Sequence, residues 1–334
     1  MAKKDQHEHE AEPGNYVHIQ HIFKGQGPLI DDLRRNRAFY NALKKHVTRD
    51  STVLDIGAGT GLWAIAAARL GAKKVVAIER DEYLIPIIRN LVKENRVEDR
   101  VEVVYGVSND VSPGGKFDIV ISETVGNQVF DELIVPNMID ARKRFLKRGG
   151  VLIPSAVALL AAPARFKKNR HSPAGVPIEC SYFDSLNVNM PVLQNDKSKV
   201  KILAPASKLI EVDLNRVKTP PELVDLTARW ALKDATELNC FAVWGEMTLT
   251  DGLTLSTYET SSWSPILYLI KPFKESKGDV EFKFSMANRS YYWTATLSNK
   301  KSRESQSHSP VFTFTSILAH SKLAGLAANK TDKK

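Results

Sequence analysis

The chain has 334 residues, 43% of them hydrophobic, and a formal net charge of +9. Length alone points to about two domains, and no apolar run reaches the ~18 residues a membrane helix needs, so no membrane partner is expected. The opening Met1-Ala2-Lys3-Lys4-Asp5 lacks the apolar region of a secretory signal, and Cys180 and Cys240 stand in no metal or redox spacing, so a cytoplasmic protein with reduced thiols and no metal is expected.

Residues 1–27 read as a mobile N-terminal segment. A helix is expected over 28–47, with apolar positions at Leu29, Leu33, Phe39, Leu43 and Val47. Strands and helices then alternate: strand 52–56, helix 62–70, strand 75–79, helix 82–95, strand 101–105, strand 117–121, helix 130–146 and strand 151–153. Arg148-Gly149-Gly150 reads as a helix C-cap. Such alternation implies a parallel sheet with helices on both faces. Pro154 marks a change of texture. Residues 155–166 read as an apolar strand, 167–180 as a basic, proline-containing loop, and 181–196 as a short projecting segment. From about 200 the chain shows period-2 runs at 209–214, 227–232, 240–249, 266–270, 280–285, 291–297 and 311–317, the pattern of an antiparallel β domain. The fold expected is α/β: a Rossmann-like domain over 28–154, then a β-barrel-like domain over 155–319 and a basic polar tail over 320–334.

The most informative stretch is Val53-Leu54-Asp55-Ile56-Gly57-Ala58-Gly59-Thr60-Gly61. An apolar strand runs into a glycine-rich turn, a helix follows, and the next strand (Val75-Val76-Ala77-Ile78) closes on Glu79. That is the layout of a nucleotide-binding βαβ unit. Gly57, Gly59 and Gly61 let the backbone turn sharply and approach a ligand closely. The helix after them aims its first N–H groups at that ligand. Glu79 can accept both hydroxyl protons of a ribose. Asp55, two residues before the first glycine, would repel a pyrophosphate but suits an ammonium group. S-adenosylmethionine (SAM) carries an ammonium, a ribose and no phosphate, so it is favoured over a dinucleotide.

Strand 117–121 ends at Ser122-Glu123, on the sheet edge that faces the ligand crevice. Glu132 follows near the start of the next helix, with Gly126 and Asn127 between the two acids. Two carboxylates beside an electrophilic methyl suit a cationic nucleophile, and a guanidinium is planar, fork-shaped and permanently charged. The alternative reading makes Glu123 a crevice carboxylate and Glu132 a helix N-terminal charge.

These motifs bring a resemblance into view. Residues 28–154 resemble the catalytic domain of protein arginine methyltransferases. Ser122-Glu123-Thr124-Val125-Gly126-Asn127-Gln128-Val129-Phe130-Asp131-Glu132 matches that family's double-glutamate loop in the spacing of Ser, both Glu and Gly, and 29–40 resembles its N-terminal helix. The resemblance implies SAM as cofactor, with Arg35 on its carboxylate, Asp55 and Gly57 in the methionine and ribose region, Glu79 on the ribose, and Ser108 and Asn109 beside the adenine. It implies Glu123 and Glu132 as catalytic residues and a dimerisation arm at about 167–196, hence a homodimer. The departures are Val125 and Asn127, where the family carries methionine and tyrosine, and Ser261-Ser262-Trp263, where it carries Thr-His-Trp. Ser262 thereby removes a cationic partner for the acidic site. Asn127, Ser262 and Trp263 are candidate substrate-pocket residues, although Trp263 also suits a core.

The expected activity is methyl transfer from SAM to a guanidino nitrogen of an arginine-containing protein or peptide. One alternative acceptor is free arginine or another small guanidino or amine metabolite. A second alternative is a SAM-binding, non-catalytic partner subunit. Nucleic acid is not the expected partner, because no Asn/Asp-Pro-Pro-aromatic loop and no basic-aromatic stripe is present.

Overall fold

The computed structural model describes residues 13–167, 175–275, 277–287 and 290–312. The chain separates into two compact units. The first takes the residues up to Glu123 with Asp140–Ile153 and Thr260–Ser262; the second takes Thr124–Ile139, Pro154–Glu259 and the residues from Trp263 on.

The first unit opens with α1 (Pro13–Asp31) and α2 (Leu33–His46). The helix therefore begins inside the stretch read as an N-terminal segment, and Asp32 breaks it in two. Asp32 caps α2 by accepting the Arg35 N–H at 3.0 Å. Strands β1 (Thr52–Ile56), β2 (Lys74–Glu79), β3 (Val101–Tyr105), β4 (Phe117–Ser122) and β5 (Leu146–Ile153) form one sheet in the order β3-β2-β1-β4-β5, with every pair parallel. Helices α3 (Leu62–Arg69), α4 (Leu84–Glu94) and α5 (Ile134–Arg144) connect them. The order reverses between β1 and β4, and the crevice outside their carboxyl ends is where such sheets bind ligands.

Two local readings fail here. Helix 130–146 contracts to α5, and residues 146–150 belong to β5. Gly149, with φ of 77°, is not a helix cap: it lies in β5, whose register against β4 shifts between Phe117 and Ile119. Both a helix cap and a bulge want a glycine in the left-handed region, so the sequence signal was ambiguous.

The second unit is antiparallel β. Its elements are β6 (Ala156–Phe166), α6 (Ser181–Leu186), β7 (Pro191–Leu193), β8 (Val200–Ile202), β9 (Ser207–Asp213), β10 (Leu223–Leu232), β11 (Cys240–Thr250), β12 (Leu253–Ser256), β13 (Ile266–Leu269), β14 (Gly278–Ala287), β15 (Ser290–Ser298) and β16 (Arg303–His308). One sheet runs β10-β14-β15-β16; the other runs β7-β13-β11-β6-β8, with β9 on β6 and β12 on β11. Leu159, Phe241, Tyr268, Phe282, Phe284 and Trp293 pack in one buried cluster fed by both sheets. The segment read as projecting, 181–196, ends in β7, which pairs with β13. The strand expected at 311–317 is helical at 310–312, and the rest of it lies outside the described residues, as do the basic tail and the first 12 residues. No described helix is long and apolar enough to cross a membrane, and no metal-binding cluster occurs among the described residues.

Candidate active site

Gly57, Gly59 and Gly61 all adopt positive φ, at 70°, 59° and 81°. A side chain at these positions would be strained. At Gly59 it would also meet Gln26 of α1, whose Oε1 lies 2.9 Å from where a Cβ would stand. Helix α1 thus touches the glycine turn. His18 of the same helix reaches Asp81, Nε2 to Oδ2 at 3.0 Å, and its ring lies 5.1 Å from that of Tyr83.

Glu79 ends β2 with its carboxylate already shaped by the backbone. Oε2 accepts the Gly59 N–H at 2.8 Å, and Oε1 accepts those of Arg80 and Asp81 at 2.8 and 2.9 Å. A carboxylate has about four acceptor sites and three are taken, so one remains open to a ligand hydroxyl. Asp55 is fully buried near the end of β1. Its Oδ2 accepts the Ala64 N–H at 3.0 Å, while Oδ1 has no hydrogen-bond partner among the described residues. Burial pushes this carboxyl up to about 7; the Ala64 N–H and Arg35 oppose the rise, and Glu79 and Glu123 add to it. A buried acceptor without a donor is costly. An ammonium ligand would complete it, so the residues present fit SAM at this position.

Ser108 is buried and Asn109 exposed, in the loop after β3. Arg144, at the end of α5, holds that loop: Nη1 donates to the Val111 carbonyl at 3.0 Å, Nη2 to that of Ser108, and Nε to Asp140 at 2.8 Å. The sequence reading missed Arg144, and nothing local marks it.

Glu123 follows β4 directly. Its carboxylate forms a buried ion pair with the Arg35 guanidinium, the two side chains being 8% and 4% exposed. Arg35 Nη1 also donates to the Leu29 carbonyl at 3.0 Å and to Asn36 Oδ1 at 2.9 Å. Its guanidinium carbon lies 5.2 Å from the Trp63 ring centroid and 5.9 Å from that of Phe39. Nη2 alone meets Glu123 Oε2, a charge-assisted contact, with a cation–π contribution from the rings. The structure therefore brings Arg35, Asp55, Glu79 and Glu123 into one unit, around the switch point of its sheet.

Ser262 belongs to the same unit. The Asp32 Oδ2 accepts the Ser261 and Ser262 N–H groups at 2.9 and 2.8 Å and the Ser262 hydroxyl at 2.6 Å. Burial pushes the Asp32 carboxyl upward, yet these bonds and that from Arg35 outweigh it and hold the carboxyl below its ordinary range. Where the family resemblance implied a lost histidine, a serine hydroxyl occupies a buried acid. Asp32 itself escaped the sequence reading.

Glu132 lies in the second unit, on an exposed stretch two residues before α5. The loop around it is anchored to β11 and its neighbours. Asn127 Oδ1 accepts the Ser264 N–H at 2.8 Å, and its backbone carbonyl accepts the Thr257 hydroxyl at 2.7 Å. Trp263 is 5% exposed. So the side-chain carbonyl of Asn127 holds backbone, and Trp263 is packed.

Comparison with known proteins follows the same lines. The family model described as ribosomal protein L11 methyltransferase (PrmA) matches residues 39–160. The arginine N(omega)-methyltransferase of Streptomyces achromogenes subsp. streptozoticus is 33% identical over 238 residues, covering 68% of this chain and 65% of that protein, just under two thirds of its length. Protein arginine N-methyltransferase 6 of Danio rerio is 30% identical over 262 residues, covering 72% of this chain and 74% of the relative. Among solved structures, a chain of the Trypanosoma brucei PRMT1 enzyme–prozyme heterotetrameric complex with AdoHcy is 19% identical, has a TM-score of 0.72, and is covered to 98% by 86% of this chain. That likeness shows the shared two-domain fold. With the zebrafish relative aligned over most of its own length, this chain belongs to the protein arginine N-methyltransferase family.

Proposed function

We propose that this protein is a SAM-dependent methyltransferase that transfers a methyl group to a guanidino nitrogen of arginine. The observation that carries this reading is the Arg35–Glu123 ion pair. Glu123 stands at the switch point of the sheet and already grips a guanidinium, so its surroundings suit one. Bound SAM supplies a methyl group on a positively charged sulfur.

The chain's own residues supply the rest. Arg35 would hold the cofactor's carboxylate, Asp55 its ammonium and Glu79 a ribose hydroxyl, and Ser108 and Asn109 would line the adenine. Gly57, Gly59 and Gly61 leave room for close approach. Glu123 and Glu132 hold the acceptor guanidinium. A guanidinium keeps its charge in water, so the two carboxylates polarise it toward the nitrogen that reacts. Fixing that nitrogen in line with the methyl accounts for much of the acceleration. The proton shed by the product nitrogen passes to a carboxylate and then to solvent.

Asp55 gives this reading a pH signature. Its folded pKa of about 7 lies above the unfolded value of about 4. The native state therefore retains a proton that the unfolded chain has lost, and the contribution of this group to stability falls as pH rises from about 4 to about 7. An ammonium ligand binds the ionised form. SAM affinity is expected to rise with pH through this window, with proton release, as titration calorimetry in buffers of different ionisation enthalpy would show. Asp55→Asn should flatten the profile; an equally steep profile in that variant would remove Asp55 from the site.

A second acceptor class is favoured by the Streptomyces relative, whose name specifies arginine without "protein". Free arginine or a small guanidino metabolite would then replace the peptide. Offering free arginine and an arginine-rich peptide in parallel, with labelled SAM, separates the two: label on only one of them assigns the class, and label on neither contradicts arginine methylation.

The protein is further proposed to act as a homodimer in the cytoplasm. Val176, Ile178 and Tyr182 are 52%, 60% and 62% exposed in the arm segment, and Phe23 and Leu33 are 67% and 61% exposed on α1 and α2. Apolar surface of this kind favours burial against a second chain. Cys180 and Cys240 are both free thiols, in keeping with a reducing compartment.

A further inference from the structure

We infer that Gln128 and Tyr268 are positioning residues for Glu132, which they hold in place through the loop between the two glutamates. The inference rests on Glu132 taking part in the reaction proposed above. All the groups involved lie in the second unit.

The loop is first locked onto itself. The Val129 N–H donates to the Gly126 carbonyl at 3.2 Å, the Phe130 N–H to the Gln128 carbonyl at 2.6 Å, and the Gln128 N–H to Asp131 Oδ1 at 3.2 Å. The Asp131 carboxylate folds over Gly126 so closely that a Cβ there would lie 2.4 Å from its Oδ1. Residues 126–131 are therefore tied to one another, and Glu132 is the next residue.

The loop is then fixed to the β unit at three points. Asn127 bonds through its carbonyl to the Gly245 N–H at 3.2 Å and the Thr257 hydroxyl at 2.7 Å. Val129 is fully buried and adopts a φ of 56°, a conformation that β-branched residues rarely take. It lies against Gly245 of β11, where a Cβ would come within 2.3 Å of Val129 Cγ1, so β11 needs glycine at the contact. Gln128 is the deepest anchor. Its side chain is fully buried, with Nε2 and Oε1 at 3.0 and 3.2 Å from the Tyr268 hydroxyl. The Tyr268 ring is wedged among Phe284, Tyr291 and Trp293, with ring centroids 5.0, 6.0 and 5.0 Å away.

A purely apolar plug would hold the loop without a polar pair in the aromatic core. A buried amide and hydroxyl are costly unless they meet. They therefore penalise any loop position in which they part. This is the property a device needs if it is to fix one register.

Tyr268→Phe tests the assignment. It is expected to lower kcat for the arginine acceptor between about tenfold and a hundredfold, as small displacements of a reacting group do, with SAM affinity unchanged. Amide hydrogen exchange across 126–132 should speed up, while β1 and β4 keep their protection. The double variant Q128M/Y268F removes both polar partners and should recover stability, with kcat remaining low. Recovery of kcat along with stability, or unaltered exchange in the loop, would overturn the inference. A wild-type protein that methylates no guanidino acceptor would instead sink the functional reading, and the exchange measurement would still decide the anchor.

Discussion

Glu123→Gln is expected to lower kcat for arginine methylation by about 10²–10³-fold, the usual cost of removing one charged contact to the reacting group. Glutamine keeps the size of the side chain and loses its charge, so the loss reports on electrostatics and not on packing. Arg35 makes a second effect follow. With Glu123 neutral, a guanidinium that is 4% exposed loses its counter-ion. Breaking a buried pair from one side costs about 3–5 kcal/mol, reduced here by the Leu29 carbonyl and Asn36, which still accept from Arg35. The SAM-free variant should melt earlier than wild type. Since the cofactor's carboxylate would replace the lost charge, SAM should raise the melting temperature of the variant by more than that of wild type. Thermal melts with and without SAM check both parts. Equal SAM-induced shifts would mean that Arg35 does not meet the cofactor.

The other large effect is at Asp32. Asp32→Ala should destabilise the protein by on the order of 2–4 kcal/mol, because it removes a helix cap and leaves the Ser261 and Ser262 donors without their acceptor. Asp32 is 1% exposed, so water replaces the carboxylate poorly. Asp32→Asn retains one oxygen and should cost less. The carboxyl lies below its ordinary range when folded. Its contribution is therefore fully present above the unfolded pKa of about 4 and is lost as pH falls through the folded value. Urea melts at neutral pH and at pH about 3 would show the difference between wild type and Asp32→Ala shrinking in acid. A difference that stays constant would contradict the role of the charge. Because Arg35 sits in the turn that Asp32 caps, Asp32→Ala should also weaken SAM binding.

What could be read from the sequence was whatever the chain does locally. The glycine run forces a turn by backbone sterics alone; Asp55 is the last residue but one of β1, and Glu79 ends β2. The apolar runs from 209 to 297 became strands, with one face buried over much of β14 and both faces buried along most of β11. Strand β16 was missed because Arg303–His308 is polar throughout and offers no alternation to detect. The remainder of the site was hidden by distance along the chain. Arg35 and Glu123 are separated by 88 positions, Gln128 and Tyr268 by 140, and Asp32 and Ser262 by 230. No spacing rule links such pairs. The loop carrying Glu132 also defied its helical pattern, since Val129 takes a left-handed φ and Asp131 turns back over Gly126, delaying α5 until Ile134.

The proposed reaction is methylation of a guanidino nitrogen. Its most direct test is to incubate the full chain with SAM bearing a labelled methyl group and an arginine acceptor, free or in a peptide, and to identify the product after acid hydrolysis. Wild type is expected to yield ω-N-methylated arginine, and Glu123→Gln none. Labelled product on another atom, or the same yield from the variant, would contradict that reaction.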